Sequence, residues 1–290
     1  MSAQARQGRR WAFWLGTLLL APSLVCALFG SVIAPGDPFA ASGPAFVPPS
    51  AGHPFGTDDL GRDLLSAVVH GARTSLLTGF AVGVLASSLG LAVGCCAGFS
   101  GSTVDDLLMR VTEFFQVVPR FFLAILVIAL FGNTLANVVA VLTLTSWGGL
   151  ARVARAEVLS LGERDFVLAA RAVGGSPARV IIRHVVPHVL TSLLPLATLI
   201  ASGAILTEAG LSYLGLGAPN LMSWGYLLNN AQSFLWRAWW LSVFPGFASI
   251  PATRRKSRSR GGSASRPVRP TPLPGGRPAA NTTLVWRSTG

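Results

Sequence analysis

Five stretches of this chain are too long and too apolar to be accommodated by water. Leu76 to Phe99 runs for 24 residues without a charge, and Trp11 to Ile33 for 23. A helix rises 1.5 Å per residue, so about 20 residues cross the roughly 30 Å hydrocarbon core of a bilayer. Phe114 to Phe131 forms a third run, interrupted by Pro119, which is expected to kink it, and by Arg120. After the turn-like Gly132-Asn133-Thr134 a fourth continues to Leu150, and His188 to Thr207 makes a fifth. Backbone in lipid must satisfy its own polar groups, so each run is expected to be helical. The fold class expected is an all-α membrane protein with five clear spans (about 11–33, 76–99, 114–131, 134–150 and 188–207) and a short sixth at 234–250. Gly79, Gly83, Ser87, Gly90 and Gly94 recur at three- and four-residue spacing, which lets helices approach closely.

Composition agrees. Apolar residues make up 51% and charged ones 12%, against about 25% charged in soluble domains, and mean hydropathy is +0.56. An ordinary soluble domain is excluded, as is disorder over most of the length. The net charge of +12 suggests nucleic-acid binding until it is located: nine basic residues lie beyond Ile250, and residues 1–250 carry only +3. No nucleic-acid partner is expected. Cys26, Cys95 and Cys96 sit in apolar runs and read as packing residues.

Orientation follows Arg6, Arg9 and Arg10, which place the N-terminus (1–10) in the cytoplasm. A basic start before an apolar run also describes a secretory leader, but the length of this run and the spans after it favour a retained anchor. Counting crossings puts 34–73 outside and 152–184 inside. The latter holds Arg152, Arg155, Arg164, Arg171, Arg179 and Arg183 against Glu157, Glu163 and Asp165, as the positive-inside rule requires. From Arg152 to Ala172 the residues suit a helix. Gly174-Gly175-Ser176-Pro177 then stops it and starts another, with Ser176 able to cap and Pro177 at the first helical position. The second helix, Ala178 to Val185, is expected to end at Pro187. Two short helices around a glycine turn form a projecting knuckle whose tip is small: Ala169, Ala170, Ala172 and Gly174.

The run Phe166-Val167-Leu168-Ala169-Ala170-Arg171-Ala172-Val173-Gly174, with His184-Val185-Val186-Pro187 after it, resembles the EAA signature of permease subunits in binding-protein-dependent ATP-binding cassette importers. Ala169, Ala170, Gly174 and Pro187 match in register; Leu168 stands where the signature has Glu, and His184 and Val186 replace its Ile and Leu. Gly56-Thr57-Asp58-Asp59-Leu60-Gly61-Arg62-Asp63 and Glu208-Ala209-Gly210-Leu211-Ser212-Tyr213-Leu214-Gly215-Leu216-Gly217 are similar to segments of peptide- and nickel-type permeases. The resemblance covers roughly residues 11–250. It implies the transmembrane domain of a type I ABC importer in a bacterial inner membrane, with 151–187 as the loop coupling it to an ATPase. It also implies four kinds of partner: a second homologous permease subunit, two cytoplasmic ATPase subunits, an extracytoplasmic solute-binding protein and membrane lipid. No cofactor is expected on the chain itself, since ATP belongs to the ATPases. The sequence contains no Gly-x4-Gly-Lys-Ser/Thr phosphate loop. The signature's Glu is expected to pair with a cation on the ATPase, so here that pair is absent or is supplied by Glu163 or Asp165.

Other polar residues carry two readings each. Asp58, Asp59, Arg62 and Asp63 are either a contact for the binding protein or a capped helix start with a local ion pair. Glu208, at the far end of the fifth span, either lines the cargo route or anchors a neighbouring helix. His53, His70, His184 and His188 show no metal-ligand clustering, and no residue is expected to be catalytic. Trp224, Trp236, Trp239 and Trp240 read as an interfacial belt. An intramembrane enzyme would need paired ionisable residues within spans, and none is evident.

The end of the chain breaks the pattern. Residues 234–250 contain Arg237 and Pro245 and reach only about 26 Å. From Pro251 the sequence turns abruptly to Arg, Ser, Gly and Pro. A frameshift would produce this change, as would a native polybasic tail holding anionic lipid. In either case a non-transporting scaffold or an inactive truncated permease is the rival to a working subunit.

Overall fold

The computed structural model describes residues 21–100 and 102–253. The expected cytoplasmic N-terminus, the first half of the first span and the tail from residue 254 lie outside them. All the regular structure in the described residues is helical, apart from two isolated bridges.

Helix α1 (Ala21–Ile33) is followed by a loop and then by α2 (Leu64–Phe99). Helix α2 begins twelve residues before the expected span. Asp63 caps it by accepting from the Ser66 N–H at 2.9 Å, and the polar residues of its first turns do not interrupt helix; they only leave the lipid. Helices α3 (Ser102–Val117) and α4 (Arg120–Phe131) replace the expected third span and meet at 82°. The break falls at Val118-Pro119, where the ring removes a donor and excludes continuous helix. Helix α5 (Leu135–Gly162), capped by Thr134, extends twelve residues past the expected end of the fourth span. Its 28 residues reach about 42 Å, so the predicted helix starting at Arg152 is the continuation of a span, and the break falls at Glu163-Arg164 instead.

Helices α6 (Asp165–Ala172) and α7 (Pro177–Val180) form the knuckle. The second knuckle helix does not end at Pro187. A π-turn (Ile181–Val185) carries it into α8 (Val186–Tyr213). Pro187 has no N–H to give to a carbonyl one turn back, and a π-turn absorbs the missing bond. Helix α9 (Trp224–Gln232) and α10 (Trp240–Thr253) close the described chain; residues 234–239 are turns rather than the start of a span.

Three continuous helical stretches are long and apolar enough to cross a membrane: Leu64–Phe99, Leu135–Gly162 and Pro177–Tyr213, with a fourth if the bent pair counts as one. Of the five clear spans expected, three are continuous helices of spanning length among the described residues and a fourth is the bent pair, while nearly half of the run at 11–33 lies outside them.

The small residues of α2 divide into two stripes. Gly90, Gly94 and Gly98 lie against Leu150, Ala151, Ala154 and Val158 of α5; a Cβ at Gly94 would sit 2.5 Å from that of Ala154. Gly79 and Gly83 instead face Ile205 and Ala201 of α8, where a Cβ at Gly79 would lie 2.5 Å from Ile205 Cγ1. Helix α2 is thus the central post, and backbone-close contacts fix α5 on one side of it and α8 on another.

Candidate functional site

Two polar regions occupy opposite ends of α2. At the Phe99 end is the knuckle. Val167, fully buried on α6, packs with Val180, Val185 and Val189 in one apolar cluster. This anchors the knuckle to α8. Gly174 closes the turn at φ +86°, a left-handed conformation that disfavours a Cβ, and its N–H donates to the Arg171 carbonyl at 2.9 Å. The Gly175 N–H donates to the Ala170 carbonyl at 3.0 Å. Pro177 takes the first helical position as expected, but Ser176 makes no side-chain cap bond. Phe166 stacks on His188 with centroids 5.3 Å apart, and the Arg171 guanidinium lies 5.6 Å over Phe99 at the end of α2.

Asp165, Leu168, Ala169 and Ala172 share the exposed face of α6. Ala170 is half-buried toward the cluster, and Pro187 is exposed at the start of α8. Among the described residues neither Glu163 nor Asp165 forms an ion pair.

The base of the knuckle carries a polar seam that charge counting alone does not reveal. Arg155 of α5 makes a two-pronged ion pair with Asp105 of α3, Nε to one carboxylate oxygen and Nη2 to the other. Arg152, three residues earlier on the same helix, donates to the Gln116 side-chain oxygen. Two arginines one turn apart on α5, facing polar residues of α3, were the available sequence signal.

At the Leu64 end, residues 34–63 fold back on themselves. Asp58 is 7% exposed, and its Oδ1 accepts from the Leu60 N–H at 2.9 Å and the Arg62 N–H at 2.8 Å. Burial raises its pKa above the ordinary carboxyl range, although the two backbone donors oppose that shift. Asp63 caps α2 through one oxygen and holds His53 Nδ1 at 3.1 Å through the other. Arg62 lies 5.3 Å over the Phe39 ring, with Nη1 3.4 Å from the Tyr226 hydroxyl. Asp59 Oδ1 is buried without a hydrogen-bond partner among the described residues. Thr57, fully buried, donates to the Pro44 carbonyl at 2.7 Å and accepts from the Val47 N–H at 2.8 Å. Trp240 Nε1 donates to the Thr57 carbonyl at 3.2 Å, and Phe55 stacks on Phe244 at 4.1 Å, so α10 is clamped to this loop.

Glu208 is a third location. It is 4% exposed, between α2, α8 and α9. Ser212 Oγ donates to one of its oxygens at 2.7 Å and Ser75 Oγ to the other at 3.3 Å, while the Trp224 N–H donates to Ser75 Oγ at 3.4 Å. Three elements meet at this carboxyl. No group of three or more His, Cys, Asp or Glu side chains suited to a metal ion occurs among the described residues.

Long apolar helices with a small-tipped projection between two of them are the build of a helical membrane protein. Residues 90–253 match the family of binding-protein-dependent transport system inner membrane components, and the chain belongs to that family. It is 40% identical over 242 residues to a Brucella suis biovar 1 protein assigned to a peptide transport system as its permease, covering 83% of this chain and 81% of that one. It is 37% identical to the nickel transport system permease of Escherichia coli K12 (82% and 87% covered). A di/tripeptide transport system permease of Pseudomonas aeruginosa is also 37% identical (81% and 80%). The family consists of transporter permeases and not enzymes, and the chain is an inner-membrane component of a transport system.

Proposed function

We propose that this chain forms half of the translocation pore of an ATP-driven importer for peptides or related small solutes. The other half is a second homologous permease, and two ATPase subunits dock from the cytoplasm. A solute-binding protein delivers cargo outside, and the N-terminus lies inside. The observation that supports this reading most is the knuckle: a short, small-tipped helical hairpin, anchored by Val167 and Val180, between two helices able to cross a membrane. Closure of the ATPases on ATP would push this hairpin and rock α5 and α8 as rigid bodies, a form of alternating access. Glu163 and Asp165 remain free to meet a cation on the ATPase in place of the signature's Glu.

The test is co-purification of the co-expressed ATPase with the permease pair, together with maleimide labelling of single cysteines at positions 171 and 179. The expected result is ATPase retained by the wild type, lost with Gly174→Trp, and labelling only from the cytoplasmic side. Labelling from the exterior alone overturns the reading.

A second reading, an inactive truncated permease, is favoured by α10. The apolar run that holds most of it, residues 234–250, reaches only about 26 Å before the sequence turns to Arg, Ser, Gly and Pro, short of a bilayer core. Reading the coding DNA in its other two frames after codon 250 tests this; an apolar continuation identifies a frameshift.

A further inference from the structure

The knuckle leaves large aliphatic side chains without cover. Leu168 is 50% exposed, Ile182 70% and Val173 90%, although their neighbours Val167, Val180 and Val185 are buried. Leu168 and Val173 lie on and just after α6, outside the stretches able to cross a membrane, and Ile182 lies in the π-turn at the knuckle end of the stretch that continues into α8. Exposed apolar surface of this kind, rimmed by charge, marks a contact with a partner.

The rim has a sign. Arg164, Arg171, Arg179 and Arg183 are exposed around these side chains, against the two carboxylates Glu163 and Asp165. Arg171 is drawn back over Phe99, while Arg164, Arg179 and Arg183 have no ion-pair partner among the described residues. Leu168 sits at the centre of the exposed α6 face, one turn from Asp165 and one from Ala172.

Resting on the docking reading above, we propose that this knuckle is held in its ATPase by aliphatic contact within an acidic rim. Leu168, Val173 and Ile182 enter a cleft with an apolar floor, and carboxylates at its edge meet Arg164, Arg179 and Arg183. No cation of the ATPase stands opposite position 168. A carboxylate placed there would be desolvated against apolar surface with no partner, a costly arrangement. Restoring the signature residue should therefore weaken the complex rather than strengthen it.

The experiment uses the full chain with its second permease and the co-expressed ATPases, purified through a tag on the permease. Retained ATPase is measured for the wild type, Leu168→Glu, Leu168→Met, Val173→Asp, the pair Arg179→Glu with Arg183→Glu, and Gly174→Trp. Leu168→Glu and Val173→Asp are each expected to lower retention at least tenfold, and Leu168→Met to restore it. The arginine pair is expected to lower retention several-fold in low salt and to approach wild type in high salt, because rim charges are screened. Val173 is 90% exposed, so its variant folds even if Leu168→Glu fails to assemble with the second permease. Retention by both Leu168→Glu and Val173→Asp, with loss in Gly174→Trp, overturns the apolar cleft and leaves docking intact. Retention in Gly174→Trp as well overturns docking itself. Retention by both acidic variants together with weaker binding to vesicles containing anionic lipid assigns the face to the membrane and also overturns the proposal.

Discussion

The loop before α2 and the knuckle beyond its other end are built from similar materials and use them in opposite ways. Both are rich in charge and glycine, and both connect apolar helices. In residues 34–63 the polar groups turn inward: Asp58 holds two backbone donors, Asp63 caps a helix and holds a histidine, and Thr57 bridges two strands of the loop. In the knuckle Glu163, Arg164, Asp165, Arg179 and Arg183 remain exposed. The loop largely satisfies itself, Asp59 Oδ1 and Arg62 Nε excepted, whereas those five charged side chains of the knuckle form no ion pair among the described residues. Hydrogen-bond satisfaction thus separates structure from interaction where composition does not.

The comparison is sharpest at two glycines in the same conformation. Gly61 has φ +73° and Gly174 φ +86°. A Cβ at Gly61 would lie 2.1 Å from the Gly43 carbonyl oxygen, whereas at Gly174 nothing lies within 4 Å. Gly61→Ala adds overpacking to left-handed strain, roughly 2–5 kcal/mol together. Gly174→Ala carries the strain alone, about 1–2 kcal/mol. Thermal melting of both variants in detergent should show Gly61→Ala falling further, and equal shifts would erase the distinction drawn here. Thr57→Val comes next in size. It strands the Val47 N–H and the Pro44 carbonyl in a buried site, an expected loss of about 2–4 kcal/mol in the same measurement.

The knuckle's own stability is expected to depend on its base. Asp105→Asn breaks the two-pronged pair with Arg155, whose side chain is 34% exposed while that of Asp105 is 13% exposed. Between the value of a surface pair and that of a buried one, a loss of about 1–2 kcal/mol is expected. Reversing both charges, Asp105→Arg with Arg155→Asp, should recover part of it. No recovery would mean that the seam is held by packing and not by charge.

Much of the fold was legible from periodicity and length, because lipid forces both. The runs at 76–99, 134–150 and 188–207 each fall within a helix. What escaped were helix ends. A charge such as Arg73 or Arg152 marks where lipid stops, yet it does not stop a helix, so α2 and α5 run past the expected limits. The bend at Pro119 was legible from the ring chemistry, and the π-turn before Pro187 was not, since a proline after a short helix usually reads as its end. At the site, the glycine turn and Pro177 were legible. The Asp105–Arg155 seam was not, because it joins residues fifty apart on helices that meet in space, where Gly148 of α5 lies against Thr112 and Gln116 of α3.

A smaller effect distinguishes Asp58 from the free carboxylates of the knuckle. Burial holds its folded-state pKa above that of the unfolded chain. The folded protein therefore binds the proton more tightly, and the associated stability is fully present below the ordinary value of about 3.9. It is lost as pH rises through the raised one. Asp58→Asn keeps an oxygen for the Leu60 and Arg62 N–H groups and has no proton to lose. Melting as a function of pH should show wild type declining relative to Asp58→Asn across that interval; parallel profiles would mean that the carboxyl is ordinary.

The smallest expected change in stability lies where the largest change in binding is expected. Val173 is 90% exposed at the tip of the knuckle. Its replacement by Ser removes apolar area that folding never buried, so the chain's melting temperature should stay within the equivalent of about 0.5 kcal/mol. A clear destabilisation would mean that Val173 packs within its own protein and that the knuckle, like the loop at the other end of α2, satisfies itself. An unchanged melt combined with lost ATPase would place the value of that side chain outside the chain that carries it, as an interface requires and a core does not.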